Sequence, residues 1–114
     1  MYILVTYIPP SHLEVVKEAL FAAGAGSIGA YDHCCFQILG EGQFRPLAGS
    51  SPYVGQPNEL ARESEWRVEL AVEESVADSV VRALLESHPY EVPAYHLIPA
   101  LTAQDLKESP WQRQ

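Results

Sequence analysis

The chain has 114 residues, 47% of them hydrophobic and 19% charged, with 15 acidic against 7 basic side chains and a formal charge of −8. That length suits one domain whose folding buries roughly two-thirds of the extended surface, and the composition argues against intrinsic disorder. The negative field disfavours a nucleic-acid or anionic-membrane partner. No run of about 18 apolar residues encodes a membrane span, and the N-terminus has no leader pattern, so a cytoplasmic location is expected.

Residues 2–8, YILVTYI, are β-branched and aromatic and stop at Pro9-Pro10. Apolar side chains on both faces predict a central strand. Ser11 and Glu14 have capping-box spacing. Leu13, Val16, Leu20 and Ala23 then recur at helical spacing, which predicts a helix over 12–23 with Gly24 as its stop. Residues 24–29, GAGSIG, match a dinucleotide fingerprint by letter. They follow a helix instead of a strand, so a helix cap and tight turn are expected there.

Residues 31–39, YDHCCFQIL, predict a second strand, and Gly40-Glu41-Gly42 a hairpin turn into a short returning strand at 43–45. The stretch from Gly40 to Pro57 holds four glycines and three prolines. It reads as a long, functional loop able to meet a protein partner. Residues 63–73 alternate, with Trp66, Val68, Leu70 and Val72 on one face and Glu65, Arg67, Glu69 and Ala71 on the other, as in a half-buried antiparallel strand. Ser75 and Asp78 form a second capping pair before a helix that runs through Ser87. Residues 94–98 predict a last strand, followed by a polar tail at 101–114 in which Trp111 is the one candidate for docking. The order predicts an α+β, ferredoxin-like split β-α-β sandwich over residues 1–100, its antiparallel sheet carrying two helices on one face. Apolar residues on the open face call for a second copy of the chain.

Two segments concentrate chemistry: Tyr31-Asp32-His33-Cys34-Cys35 and the stretch from His88 to His96. His33, Cys34, Cys35, His88, Glu91 and His96 form a pool of ligands for a divalent metal ion such as copper or zinc. No C-x-x-C or H-E-x-x-H spacing organises them. His88 serves equally well as a helix C-terminal cation and Glu91 as an acceptor of turn amides. Tyr31, Asp32, Arg45, Tyr90 and Tyr95 are candidates for a small ligand. The adjacent cysteines suit a reduced pair, since a vicinal disulfide is strained. On a strand, Cys35 would share a face with His33, which is too little for a nucleophilic triad.

Together GAGSIGAYDHCCF, GEGQFRPL and HPYEVPAY resemble the small domain inserted into YqfO-type dinuclear metal proteins, which also occurs as a stand-alone YqfO-like protein. HPYEVP also resembles the same stretch of CutA proteins, and that inserted domain is similar to CutA and PII proteins. The resemblance covers residues 1 to about 100. It implies a CutA/PII-like fold and a homotrimer. Val92 and His96 stand where the inserted domain usually has Glu and Asp, and no residue matches the dinuclear ligands. The favoured reading is a non-enzymatic, oligomeric small-ligand or regulatory module. A dedicated metal-binding protein comes second and a small Cys/His enzyme third.

Overall fold

The computed structural model describes residues 1–106. The tail beyond them, including Trp111, lies outside the described residues. Strand β1 (Tyr2–Ile8) leads through a 3₁₀ turn at Pro10–His12 into helix α1 (Leu13–Ala22). Strands β2 (Phe36–Phe44) and β3 (Ala61–Val72) follow, then a second 3₁₀ turn at Glu74–Val76, helix α2 (Ala77–Ser87) and strand β4 (Tyr95–Pro99). The sheet order is β2-β3-β1-β4, and every neighbouring pair is antiparallel. This is the expected ferredoxin-like sandwich, with β1 central.

Alternation in the strands decides what the helices cover. Leu4, Thr6 and Ile8 of β1 lie level with Leu70, Val68 and Trp66 of β3, so one face collects these side chains. Leu13, Val16 and Leu20 of α1 and Val80 and Leu84 of α2 join them in a single buried core. Both helices begin differently from expectation. Neither Ser11 nor Ser75 caps a helix through its side chain. Pro10 instead opens a 3₁₀ turn closed by His12 N–H on the Pro9 carbonyl at 3.0 Å, a start that Pro favours because it has no amide to lose. The Ser11 hydroxyl meets His12 Nδ1.

The end of α1 follows the sequence. Gly24, at φ +110°, ends the helix while Ala25 N–H reaches the Leu20 carbonyl and Gly24 N–H that of Phe21, both at 3.0 Å, the Schellman arrangement. The glycine-rich segment after it is a turn, as expected. Gly26 N–H binds the Ala71 carbonyl, its own carbonyl accepts from Cys34 N–H, and a Cβ there would sit 2.6 Å from the Cys34 oxygen.

Two expectations about the middle of the chain are corrected. Residues 31–35 are not strand, apart from an isolated bridge between Ile28 and Tyr31. Residues 40–42 are not a turn: β2 runs straight through Gly40-Glu41-Gly42, paired with Glu65, Ser64 and Glu63, and no separate strand follows at 43–45. Neither glycine has a positive φ, so the turn chemistry that they could supply is unused. The β2–β3 ribbon continues past the end of β1, which pairs last at Ile8 with Trp66. A connection at 45–60 closes the ribbon.

Neither helix covers the second face of the sheet, and its middle carries exposed apolar side chains. Phe36 and Ile38 of β2 and Ile98 of β4 are 59%, 54% and 49% exposed there. Register places Ile3, Val5 and Tyr7 between them. An Arg67–Glu69 ion pair at 3.0 Å and His96 interrupt the apolar strip. No helix among the described residues is long and apolar enough to cross a membrane.

Candidate functional site

At the end of the sheet where the ribbon overshoots β1, the 45–60 connection folds back toward the 88–94 segment. Backbone bonds shape it: Asn58 N–H to the Pro46 carbonyl, Ser50 N–H to that of Leu47 and Glu59 N–H to that of Gln56. It is fastened to the neighbouring segment by Ser51 N–H, which donates to Glu91 Oε1 at 3.0 Å. Rings tie the two further. Tyr90 lies 6.1 Å from Tyr53, 6.3 Å from Phe44 and 4.8 Å from His88, and Tyr53 meets His12 edge-on at 5.7 Å. Between them opens a cleft of about 270 Å³, walled by Tyr7, Phe44, Tyr53 and Tyr90 with Glu65 and Glu91 among its polar groups.

His88 anchors this end. It is buried, with Nε2 2.7 Å from the Tyr7 carbonyl and Nδ1 3.1 Å from Tyr90 N–H. A carbonyl only accepts and an amide only donates, so Nε2 carries the proton and Nδ1 is bare. Burial, the largest influence, lowers the imidazole pKa, and the Tyr7 hydrogen bond opposes it. With both nitrogens engaged, His88 is a neutral structural post.

Glu65 is one of the two carboxylates of the cleft. It faces Gly40 across the ribbon, and a Cβ at Gly42 would run into its side chain. Two glycines on the same face of β2 thus let the carboxylate lie across the strand. Tyr90 Oη is closed off from solvent and makes no hydrogen bond of good geometry, although Glu65 lies close by. Burial first, and then the Glu65 carboxylate, push the phenol well above its usual range.

Of the residues singled out in the sequence, the structure brings Tyr90 and Glu91 to this cleft and His88 behind it. The segment 31–35 lies elsewhere. It is held through Gly26 to Ala71, level with Ile3, whereas His88 holds Tyr7, roughly 13 Å along the strand. There His33 is exposed, with Nδ1 3.2 Å from Asp32 Oδ1 and Nε2 3.9 Å from Glu18 Oε2, and its ring meets that of Phe21 at a tilt. Tyr31 is exposed. Cys34 and Cys35 are free thiols, and Cys35 packs on the core. Residues 33 and 35 therefore share no strand face. His96 sits on the open face opposite Val5, and Arg45 is exposed. Tyr95 packs on the core beside Thr6, whose hydroxyl donates to the Ala94 carbonyl. Among the described residues no three His, Cys, Asp or Glu side chains gather in a way that could hold a metal ion.

Sequence reasoning missed Glu65, Tyr7, Phe44 and Tyr53 as site residues. The alternation of β3 did place Glu65 on the open face. What could not be read locally is that two bare positions of β2 lie beside it.

Comparison with known proteins bears on the fold. No family model matches the chain. It is 43% identical over 99 residues to the GTP cyclohydrolase 1 type 2 homolog of Halalkalibacterium halodurans, matching 87% of this chain and 27% of that protein. The homolog of Bacillus subtilis is 44% identical over 96 residues, with 84% and 26% covered. That of Mycobacterium tuberculosis is 40% identical over 93, with 82% and 24% covered. The chain thus spans about a quarter of the length of the curated relatives it matches. The crystal structure of a Bacillus cereus protein related to NIF3 superposes with a TM-score of 0.76 at 37% identity, over 87% of this chain and 25% of that one. The PII-like protein CutA from Nostoc sp. PCC 7120 superposes at 0.58 with 21% identity, over 88% and 81%. CutA1 from Pyrococcus horikoshii gives 0.58 at 20%, over 88% and 83%. The chain is similar to one segment of the first group of proteins and has the CutA/PII-like fold of the second.

Proposed function

We propose that the chain is a non-catalytic, self-associating module that binds a small ligand in the cleft between the 45–60 connection and the 88–94 segment. The cleft carries the reading. Its aromatic walls come from three separate parts of the chain, β1, the ribbon end with its connection, and the 88–94 segment, and a small apolar pocket with few polar groups is the usual form of a ligand site. The His88 imidazole behind it is occupied by backbone hydrogen bonds, and both thiols lie at the far end of the sheet, which favours binding over nucleophilic chemistry. The likeness to a PII-like protein and to CutA1 supports a regulatory or binding role. The uncovered sheet face supports assembly, with a trimer as the proposed state.

The test is heteronuclear NMR of the labelled protein against a broad panel of small molecules. Saturable shifts confined to residues 43–54 and 88–94, abolished by Tyr53→Ala, are expected. A panel that moves no resonance of the cleft removes the reading.

A further inference from the structure

We infer that the ligand of this cleft is a small organic cation, an amine or quaternary ammonium group on an apolar body. The inference deepens the binding-module reading and rests on it. Four aromatic rings, Tyr7, Phe44, Tyr53 and Tyr90, wall a space of about 270 Å³. Ring faces carry negative potential and attract cations, most strongly where water is excluded. Two carboxylates, Glu65 and Glu91, reach the same space, and neither forms an ion pair among the described residues.

No lysine or arginine lines the cleft. Arg67, two residues from Glu65 on the same strand face, donates from Nε to Glu69 Oε1 at 3.0 Å. Arg45 is exposed and outside the lining. A phosphate or carboxylate entering here would lose its water beside two like charges with no cation to compensate. An ammonium group would find charge, ring faces and apolar contact at once. Burial is the main cause of the raised phenol of Tyr90, and the same negative surroundings add to it.

The experiment titrates labelled protein with choline, with its uncharged tert-butyl isostere, and with inorganic phosphate, in low salt. Choline is expected to saturate the cleft resonances and to bind at least about tenfold more tightly than the isostere. Added salt should weaken it. Glu65→Gln, isosteric and half-buried, should weaken choline by about tenfold and leave the isostere unchanged, with an unaltered melting temperature showing that the fold is intact. An isostere that binds as well as choline, a preference for phosphate, or choline affinity that ignores Glu65→Gln would overturn the cation assignment and leave the binding module standing. If none of the three probes moves the cleft, the cation assignment falls, and the broad panel then decides the module.

Discussion

The residue that most constrains this end of the molecule is His88. Its ring joins β1, through the Tyr7 carbonyl, to the backbone of Tyr90, so one neutral side chain fixes the turn from which two cleft residues project. Protonation would put a second N–H against the Tyr90 amide, with nothing to accept it. The groups around the ring are the Tyr90 ring, Glu65, which favours the charged form, and His12, which opposes it. Burial outweighs them, and the folded pKa lies below 6.5. The unfolded chain therefore takes up the proton first as acid is added. The stability owed to the neutral ring is intact above about pH 6.5 and is lost as pH falls from there through the depressed folded value. Melting temperatures between pH 8 and 5 should fall more steeply for the wild type than for His88→Gln. That variant should itself lose about 1–3 kcal/mol at pH 8, because a half-buried carbonyl and a half-buried amide lose the imidazole aligned between them. Parallel profiles would show that His88 does not set the acid limb.

At the scale of the element, β2 carries the most information. Its Gly-Glu-Gly sequence suggests a turn, yet the backbone stays extended, and the missing side chains make room for Glu65. Glycine inside a strand is weakening by roughly 0.5–1 kcal/mol relative to alanine. Gly42→Ala should therefore keep or slightly raise the urea midpoint, since the obstructing atoms belong to the end of a flexible carboxylate. The displaced Glu65 should lower choline affinity severalfold. A marked loss of stability would mean that the ribbon cannot absorb a methyl group; full affinity would mean that Glu65 does not act from where it lies. The same strand shows what a single sequence reveals. The period-2 pattern of residues 66–72, the helical spacing of 13–20 and the glycine stop at 24 are local signals, and each yielded its element. Residues 31–35 and 40–42 depend on a partner strand, and pairing register is not a local property. The segments around 40–52 and 88–95 were visible as unusual. Their meeting, and the use of a charged residue from the middle of β3 between them, follow from sheet order alone.

For the whole molecule, the decisive feature is a sheet with a core on one side and an unroofed apolar strip on the other. Removing one isoleucine side chain from water contributes about 1.5–3 kcal/mol, and here Phe36, Ile38 and Ile98 remain about half exposed. A second surface covering them would also reach the cleft. Tyr7 and Glu65, which line it, also line the neighbouring groove with Ile38, Gly40 and Arg67. Assembly on this face and occupancy of the cleft would thus share a boundary, and each should favour the other. Ile38→Glu tests the point. The side chain contributes nothing to the buried core, so the variant should fold with an unchanged far-ultraviolet spectrum. Light scattering should find the wild type near three times 12.6 kDa and the variant at 12.6 kDa, because a charge buried at a self-association surface without a partner is strongly unfavourable. Choline binding should weaken with the loss of assembly. A wild type that runs as a monomer at micromolar concentration, or a variant that assembles as before, would place the contact elsewhere and leave the cleft a property of the single chain.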